Sequence, residues 1–257
     1  MISPGWPASD KEMFEATLPM YLDKKPFNLY YMSVSGHSLY SRDGNAMAAK
    51  NWDYVKDLDM SETLKAYYAA NLELEFGLQS IMNTLEEQGI LKDTVIVIAA
   101  DHFPYGLDDD AGIGSMPYLE ELYGYPVTNY LERDHNKLIV WCGELEKKDP
   151  IIVDEPTSSL DILPTLSNLF GLEWDSRLLV GRDVFSGAEA IVFDMGYDWK
   201  TTQGTYISAL KTFTPADSKS TTNWDAYVER INKVVSNKMQ FCTEALRNDY
   251  YRYLFQE

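Results

Sequence analysis

The sequence predicts an α/β protein: an α/β/α sandwich with a mostly parallel central sheet, then a small antiparallel β-sheet and a long carboxyl-terminal helix. Three observations carry this expectation. The run Thr94-Val95-Ile96-Val97-Ile98-Ala99-Ala100 is apolar and β-branched, the pattern of a strand buried on both faces. A second apolar run, Phe27 to Val34, lies upstream with a long helical repeat between the two. That order reads as a βαβ unit with a right-handed crossover. After about Ser186, short strand-like runs separated by turn residues replace the alternation, which points to hairpins. The expected division is residues 1–185 and 186–257.

Each element has its own signal. Ser9-Asp10 caps an amphipathic helix through Met13, Phe14 and Leu18. Phe27–Val34 reads as a buried strand ending at Ser35-Gly36-His37. The polar stretch to about Asp59 reads as a long surface loop or a short broken helix. Ser61 and Glu62 open the longest helix of this half, with Leu64, Tyr67, Tyr68, Leu74, Leu78, Ile81, Met82 and Leu85 at helical spacing and Gly89 at its end. Lys137–Trp141 reads as another strand, and Leu160–Phe170 as a short helix with Asp161 as its cap. Ala190–Asp194 and Thr205–Leu210 read as strands, and Thr222–Leu254 as the final helix. Tyr30, Tyr31, Tyr67 and Tyr68 read as core by spacing.

Composition narrows the function classes. The 257 residues carry 40 acidic against 22 basic side chains, a formal charge of -18. Such a field repels nucleic acid and anionic lipid surfaces, so no nucleic-acid partner is expected. Cys142 and Cys242 read as two unpaired thiols rather than a disulfide or zinc framework. No apolar run approaches the roughly 20 residues needed to span a bilayer. Met1–Pro7 lacks the basic and apolar regions of a signal peptide, so the chain is expected to be soluble.

The chemistry concentrates in a few residues. Asp101-His102 stands at the carboxyl end of the 94–100 run, where open α/β sheets place their ligands. An adjacent carboxylate and imidazole suit a divalent metal; the plainer alternative is an Asp capping a turn beside a backbone-bonded His. His37 stands at the end of the other apolar run. His135, in Arg133-Asp134-His135-Asn136, suits a surface or capping role. Asp108-Asp109-Asp110 lacks the glycine and closing glutamate of an EF-hand and reads as a solvated loop. Gly181-Arg182-Asp183 reads as a turn anchoring the carboxyl-terminal sheet.

Several segments, taken in order, carry a resemblance. They are Tyr31-Met32-Ser33-Val34-Ser35-Gly36-His37, Tyr67-Tyr68-Ala69-Ala70-Asn71, and Gly89-Ile90-Leu91-Lys92-Asp93-Thr94 leading into Ala100-Asp101-His102. Ser159-Leu160-Asp161-Ile162-Leu163-Pro164-Thr165, Gly181-Arg182-Asp183 and Asn248-Asp249-Tyr250-Tyr251 continue it. Together they resemble the carboxyl half of a sulfatase-like enzyme of the alkaline phosphatase superfamily, nearest to lipoteichoic acid synthases and related phosphoglycerol transferases of Gram-positive bacteria.

The resemblance implies metal-dependent phosphoryl transfer on a phosphoglycerol-type lipid or polymer at the outer face of the cytoplasmic membrane. It implies a divalent ion, Mn2+ or Mg2+, held in part by Asp101 and His102, and a phosphate contact from His37. In that family the nucleophile is a threonine, and it and an acidic metal ligand lie upstream of the matching region, so no catalytic nucleophile is expected here. The cysteine-proline-arginine segment of sulfatases proper is matched neither at Cys142-Gly143-Glu144 nor at Cys242-Thr243-Glu244. The chain is therefore expected to be a carboxyl-terminal part with an incomplete central sheet, inactive alone and weak for metal. A companion amino-terminal half or self-association would cover the open sheet edge. Two other expectations compete: a non-catalytic module binding anionic glycerol-phosphate polymer, or part of a true sulfatase or phosphoethanolamine transferase.

Overall fold

The computed structural model describes residues 5–108 and 112–255, so Asp109 and Asp110 of the acidic run lie outside the described residues. The chain is mixed α/β, with a small antiparallel sheet and a long helix near its carboxyl end. It divides into two compact units, Met1–Lys148 and Asp149–Glu257.

The first unit is built around one long helix. Helix α1 (Asp10–Thr17) starts where Ser9 accepts the Glu12 amide, as its sequence suggests. Helix α2 (Ala46–Lys50) starts at Asn45, whose side chain accepts the Met47 and Ala48 amides. It is followed by a single turn at Trp52–Tyr54, so the polar stretch is a short broken helix. Helix α3 (Glu62–Glu87) runs 26 residues from its Ser61 cap. Its small residues Ala66, Ala69 and Ala70 are fully buried and let Ala48 and Val55 approach closely. Gly77 lies against Phe14 so tightly that a Cβ would stand 2.9 Å from the Phe14 Cε2. Leu64 joins Leu107, Met116, Leu119 and Val127 in a second cluster.

Strand β1 (Val95–Ala99) follows α3, and strand β2 (Leu138–Cys142) follows α4 (Pro117–Tyr123) and α5 (Tyr130–Arg133). The expected mostly parallel sheet is corrected here. Strands β1 and β2 pair antiparallel, with Val97 opposite Val140, and make a two-stranded sheet. Residues 27–34 form no ladder, so among the described residues the βαβ unit has only its second strand. The physical reason is that apolarity marks surface destined for burial; it does not specify a partner or its direction. Tyr30 is accordingly 88% exposed rather than core, and Met32, Val97, Ile139 and Val140 are also exposed.

The second unit holds α6 (Ile162–Leu169) and the strands β3 (Ile191–Phe193), β4 (Trp199–Thr201), β5 (Gly204–Ile207) and β6 (Thr212–Pro215). These strands form an antiparallel meander in the order β3-β4-β5-β6. Helix α7 (Asp225–Arg247) packs its apolar stripe against it. Trp199 is fully buried against Ile231 and Val235, and its indole N–H donates to Asn232 at 2.7 Å. A buried Trp whose one polar atom is bonded contributes both apolar area and register. The predicted final helix breaks at Asp249, whose φ of 49° lies in the left-handed region, before α8 (Tyr250–Leu254).

Asp161 does not cap α6 directly. It closes a capping box with Ser158 around the preceding turn, and its other oxygen accepts the Arg182 amide at 2.7 Å. Gly181 allows this, because a Cβ there would overlap the Leu160 carbonyl.

Candidate active site

Asp101 and His102 leave the end of β1 on a loop that continues into a turn at Tyr105–Leu107. The Asp101 Oδ1 accepts the His102 amide at 2.9 Å, which fixes the carboxylate beside the ring. The His102 Nδ1 lies 2.7 Å from the Phe103 carbonyl oxygen. A carbonyl only accepts, so Nδ1 carries the proton and Nε2 keeps its lone pair in the neutral ring. That Nε2 stands 3.6 Å from the Asp101 Oδ2. The Tyr105 ring lies over the imidazole, with centroids 4.6 Å apart. Both side chains are open to solvent, Asp101 at 81% and His102 at 50% exposure.

This donor set fits a divalent cation. An oxygen and a nitrogen 3.6 Å apart can both reach one ion through bonds of about 2.1 Å. The backbone bond at Nδ1 is the arrangement that orients a metal-binding histidine. Two donors are half of a coordination shell, and among the described residues no third His, Cys, Asp or Glu completes the group.

His37 sits on the turn that follows residues 27–34. Its Nδ1 lies 2.8 Å from the Ser38 carbonyl, so its Nε2 is likewise the outward atom. The Trp6 ring meets its edge at 5.3 Å. The two histidine loops touch through Gly106: a Cβ there would overlap the Ser38 side chain and stand 3.2 Å from the Tyr40 ring. The structure thus pairs Asp101 directly with His102 and packs the His37 segment against the loop that carries them.

A buried polar framework holds the His37 turn, and sequence reasoning missed it. Asp10 is fully buried; its two oxygens accept the Val34 and Ser35 amides at 2.8 and 3.0 Å, and its own amide donates to the Ser35 hydroxyl. Asn45 donates to the His37 carbonyl at 2.7 Å and to the Ser35 carbonyl at 3.3 Å. A buried carboxylate that accepts two main-chain amides fixes a loop far more firmly than apolar contact does. Beside it, Glu73 of α3 is fully buried between Ser9, Lys50 at 2.8 Å and Asn51 at 3.1 Å. Burial alone would push its carboxyl up, but the bonds from Lys50, Ser9 and Asn51 hold it below the ordinary glutamate range. Ser9-Asp10 reads in sequence as a helix cap and Asn45 proves to cap α2; only the fold shows where the remaining bonds of Asp10 and Asn45 go.

The other candidates have structural roles. The His135 Nδ1 bonds the Tyr125 hydroxyl at 2.8 Å on the surface. Cys142 and Cys242 are free thiols.

Comparison with known proteins gives the class to which this fold belongs. Residues 2–172, more than half the chain, match the family model described as Sulfatase, and the chain belongs to that family. It is sulfatase-like, of the alkaline phosphatase superfamily, and lipoteichoic acid synthase-like. It is 24% identical over 231 residues to the lipoteichoic acid synthase of Staphylococcus aureus strain USA300, and equally to that of strain NCTC 8325. The match covers 90% of this chain and 34% of those relatives, so the chain spans about a third of their length. Among solved structures it resembles the lipoteichoic acid synthase LtaP from Listeria monocytogenes. The TM-score is 0.68 at 17% identity, over 93% of this chain and 60% of that one, a likeness of fold.

Proposed function

We propose that this chain supplies the carboxyl-terminal part of a metal-dependent phosphoryl-transfer site acting on a phosphoglycerol-type lipid or polymer. In this reading Asp101 and His102 hold the ion and His37 meets the substrate phosphate. The observation that carries it is the shared tautomer. Both imidazoles give their Nδ1 proton to the next residue's carbonyl, which leaves both Nε2 atoms available to a ligand. The printed activity of the relatives, lipoteichoic acid synthesis, supports phosphate over sulfate as the ester. Mn2+ or Mg2+ in the site would neutralise phosphate oxygens as charge shifts during transfer. His37 as imidazolium would donate Nε2–H to a phosphate oxygen, and its backbone bonds would hold that donor in place.

The nucleophile and the remaining metal ligands come from additional sulfatase-type structure. The exposed apolar side chains of β1, β2 and residues 27–34 support this, because such surface belongs to a sheet that continues. A polypeptide covering the rest of the fold is the companion this surface fits, and the complete enzyme works at the outer membrane face. No helix among the described residues is long and apolar enough to cross a membrane.

The test uses the three histidines of the chain as reporters. Inorganic phosphate added to the 257-residue chain is expected to shift the His37 ring signals in proton–carbon NMR, and His37→Ala should abolish phosphate binding at this histidine site. No turnover of bis(p-nitrophenyl) phosphate or p-nitrophenyl sulfate is expected with Mn2+ present. Turnover by the chain alone would refute the incomplete site, and an unmoved His37 would refute its phosphate role.

A further inference from the structure

A cavity of about 500 Å3 opens in the second unit beside α7. Its volume lies within the range of small-molecule sites. One face of α7 lines it: Val234, Lys238 and Phe241 recur at helical spacing, a quarter-turn round from the Ile231 and Val235 that pack on Trp199. Phe193 of β3 adds a further apolar wall, and Arg182 and Lys238 bring positive charge.

The charge balance of this cavity is uneven. Its two carboxylates are already engaged. Asp161 accepts the Ser158 and Arg182 amides. Glu189 is held by the Arg230 guanidinium at 2.7 and 2.9 Å and by the Tyr227 hydroxyl. Lys238 has no such partner: its ammonium donates to the Val180 carbonyl, and among the described residues no carboxylate lies within ion-pair distance. Burial depresses its pKa, the mark of a cation stripped of water without full compensation. The Arg182 guanidinium pairs with Glu155 at 3.0 Å and donates to the Val184 carbonyl, while its Nε is buried with no hydrogen-bond partner among the described residues. A half-buried cation with unused N–H donors, facing an apolar wall, is stabilised by an anion.

We propose that this cavity binds an amphiphilic anion, a phosphate monoester or carboxylate bearing a short apolar chain. The anionic head accepts from the Lys238 ammonium, and the tail lies along Phe193, Val234 and Phe241. This site is separate from the histidine site and does not depend on it.

The experiment titrates the full chain with hexyl phosphate, hexanoate and inorganic phosphate by calorimetry, using the His37→Ala variant so that the histidine site is silent. Hexyl phosphate and hexanoate are expected to bind, with inorganic phosphate roughly tenfold weaker because it lacks the buried chain. Lys238→Met, which keeps the packing of the stem, should weaken both amphiphiles roughly tenfold. Phe241→Ala should weaken hexyl phosphate while leaving inorganic phosphate unchanged. Equal binding of hexyl phosphate and inorganic phosphate, no binding of either amphiphile, or unchanged affinity in Lys238→Met would each overturn the proposal.

Discussion

Replacing Glu73 with alanine is expected to destabilise the first unit by about 3 kcal/mol, with an unchanged denaturant slope. The carboxylate is fully buried, and its loss strands the Ser9 hydroxyl, the Asn51 amide and the Lys50 ammonium at once. Lys50 remains half in water, which keeps the cost below that of a wholly buried broken pair. Glu73→Gln, which keeps shape and loses charge, should cost about half as much.

The same carboxylate gives a pH dependence with a definite sign. Its folded pKa lies below the ordinary glutamate value. The stability it contributes is therefore fully present above that ordinary value and is lost as pH falls through the lower folded value. Wild type should lose more stability on acidification than Glu73→Gln does. Chemical denaturation at neutral and acidic pH checks both statements; a cost under about 1 kcal/mol for Glu73→Ala would contradict the role given to this cluster. The consequence reaches function. Ser9 begins the helix whose next residue, Asp10, clamps the His37 turn, so loosening Glu73 loosens the histidine.

Gly181→Ala is the second change with a large expected effect, about 3 kcal/mol or more. The obstruction is main chain: a Cβ would overlap the Leu160 carbonyl and stand 2.9 Å from the Asp161 amide nitrogen. No rotamer relieves that, so the Arg182 amide must leave the Asp161 carboxylate and the capping box opens. Gly187→Ala, with nothing near the added carbon, serves as the control and should change little. Thermal melting of the pair decides it, with equal melting points contradicting the close approach.

The sequence displayed those features whose physics is local. Ser9 and Ser61 announce helix starts because a side-chain oxygen is needed there, and both cap as expected. The Val95–Ala99 strand, the Glu62–Glu87 helix and the Asp101-His102 pair after the strand follow from periodicity and composition over short windows. Pairing is not local. Residues 27–34 have the apolarity of a strand but no ladder, and β2 pairs antiparallel with β1 where a mostly parallel sheet is expected. Strands β4 and β6 escaped notice because three or four residues such as Trp199-Lys200-Thr201 carry too little pattern. The clamp on His37 was hidden because Asp10 and Asn45 satisfy distant main-chain groups, a fact no spacing rule encodes.

The central claim is that His37, Asp101 and His102 serve one metal-assisted site. Manganese titration followed by histidine NMR tests it most directly, because bound Mn2+ erases signals of nearby nuclei. The His102 ring signals should vanish first and those of His37 next, at about millimolar metal for a half-formed shell, and both should persist in Asp101→Asn. Ring signals of His37 that survive saturation of His102, or loss that is undiminished in Asp101→Asn, would contradict it.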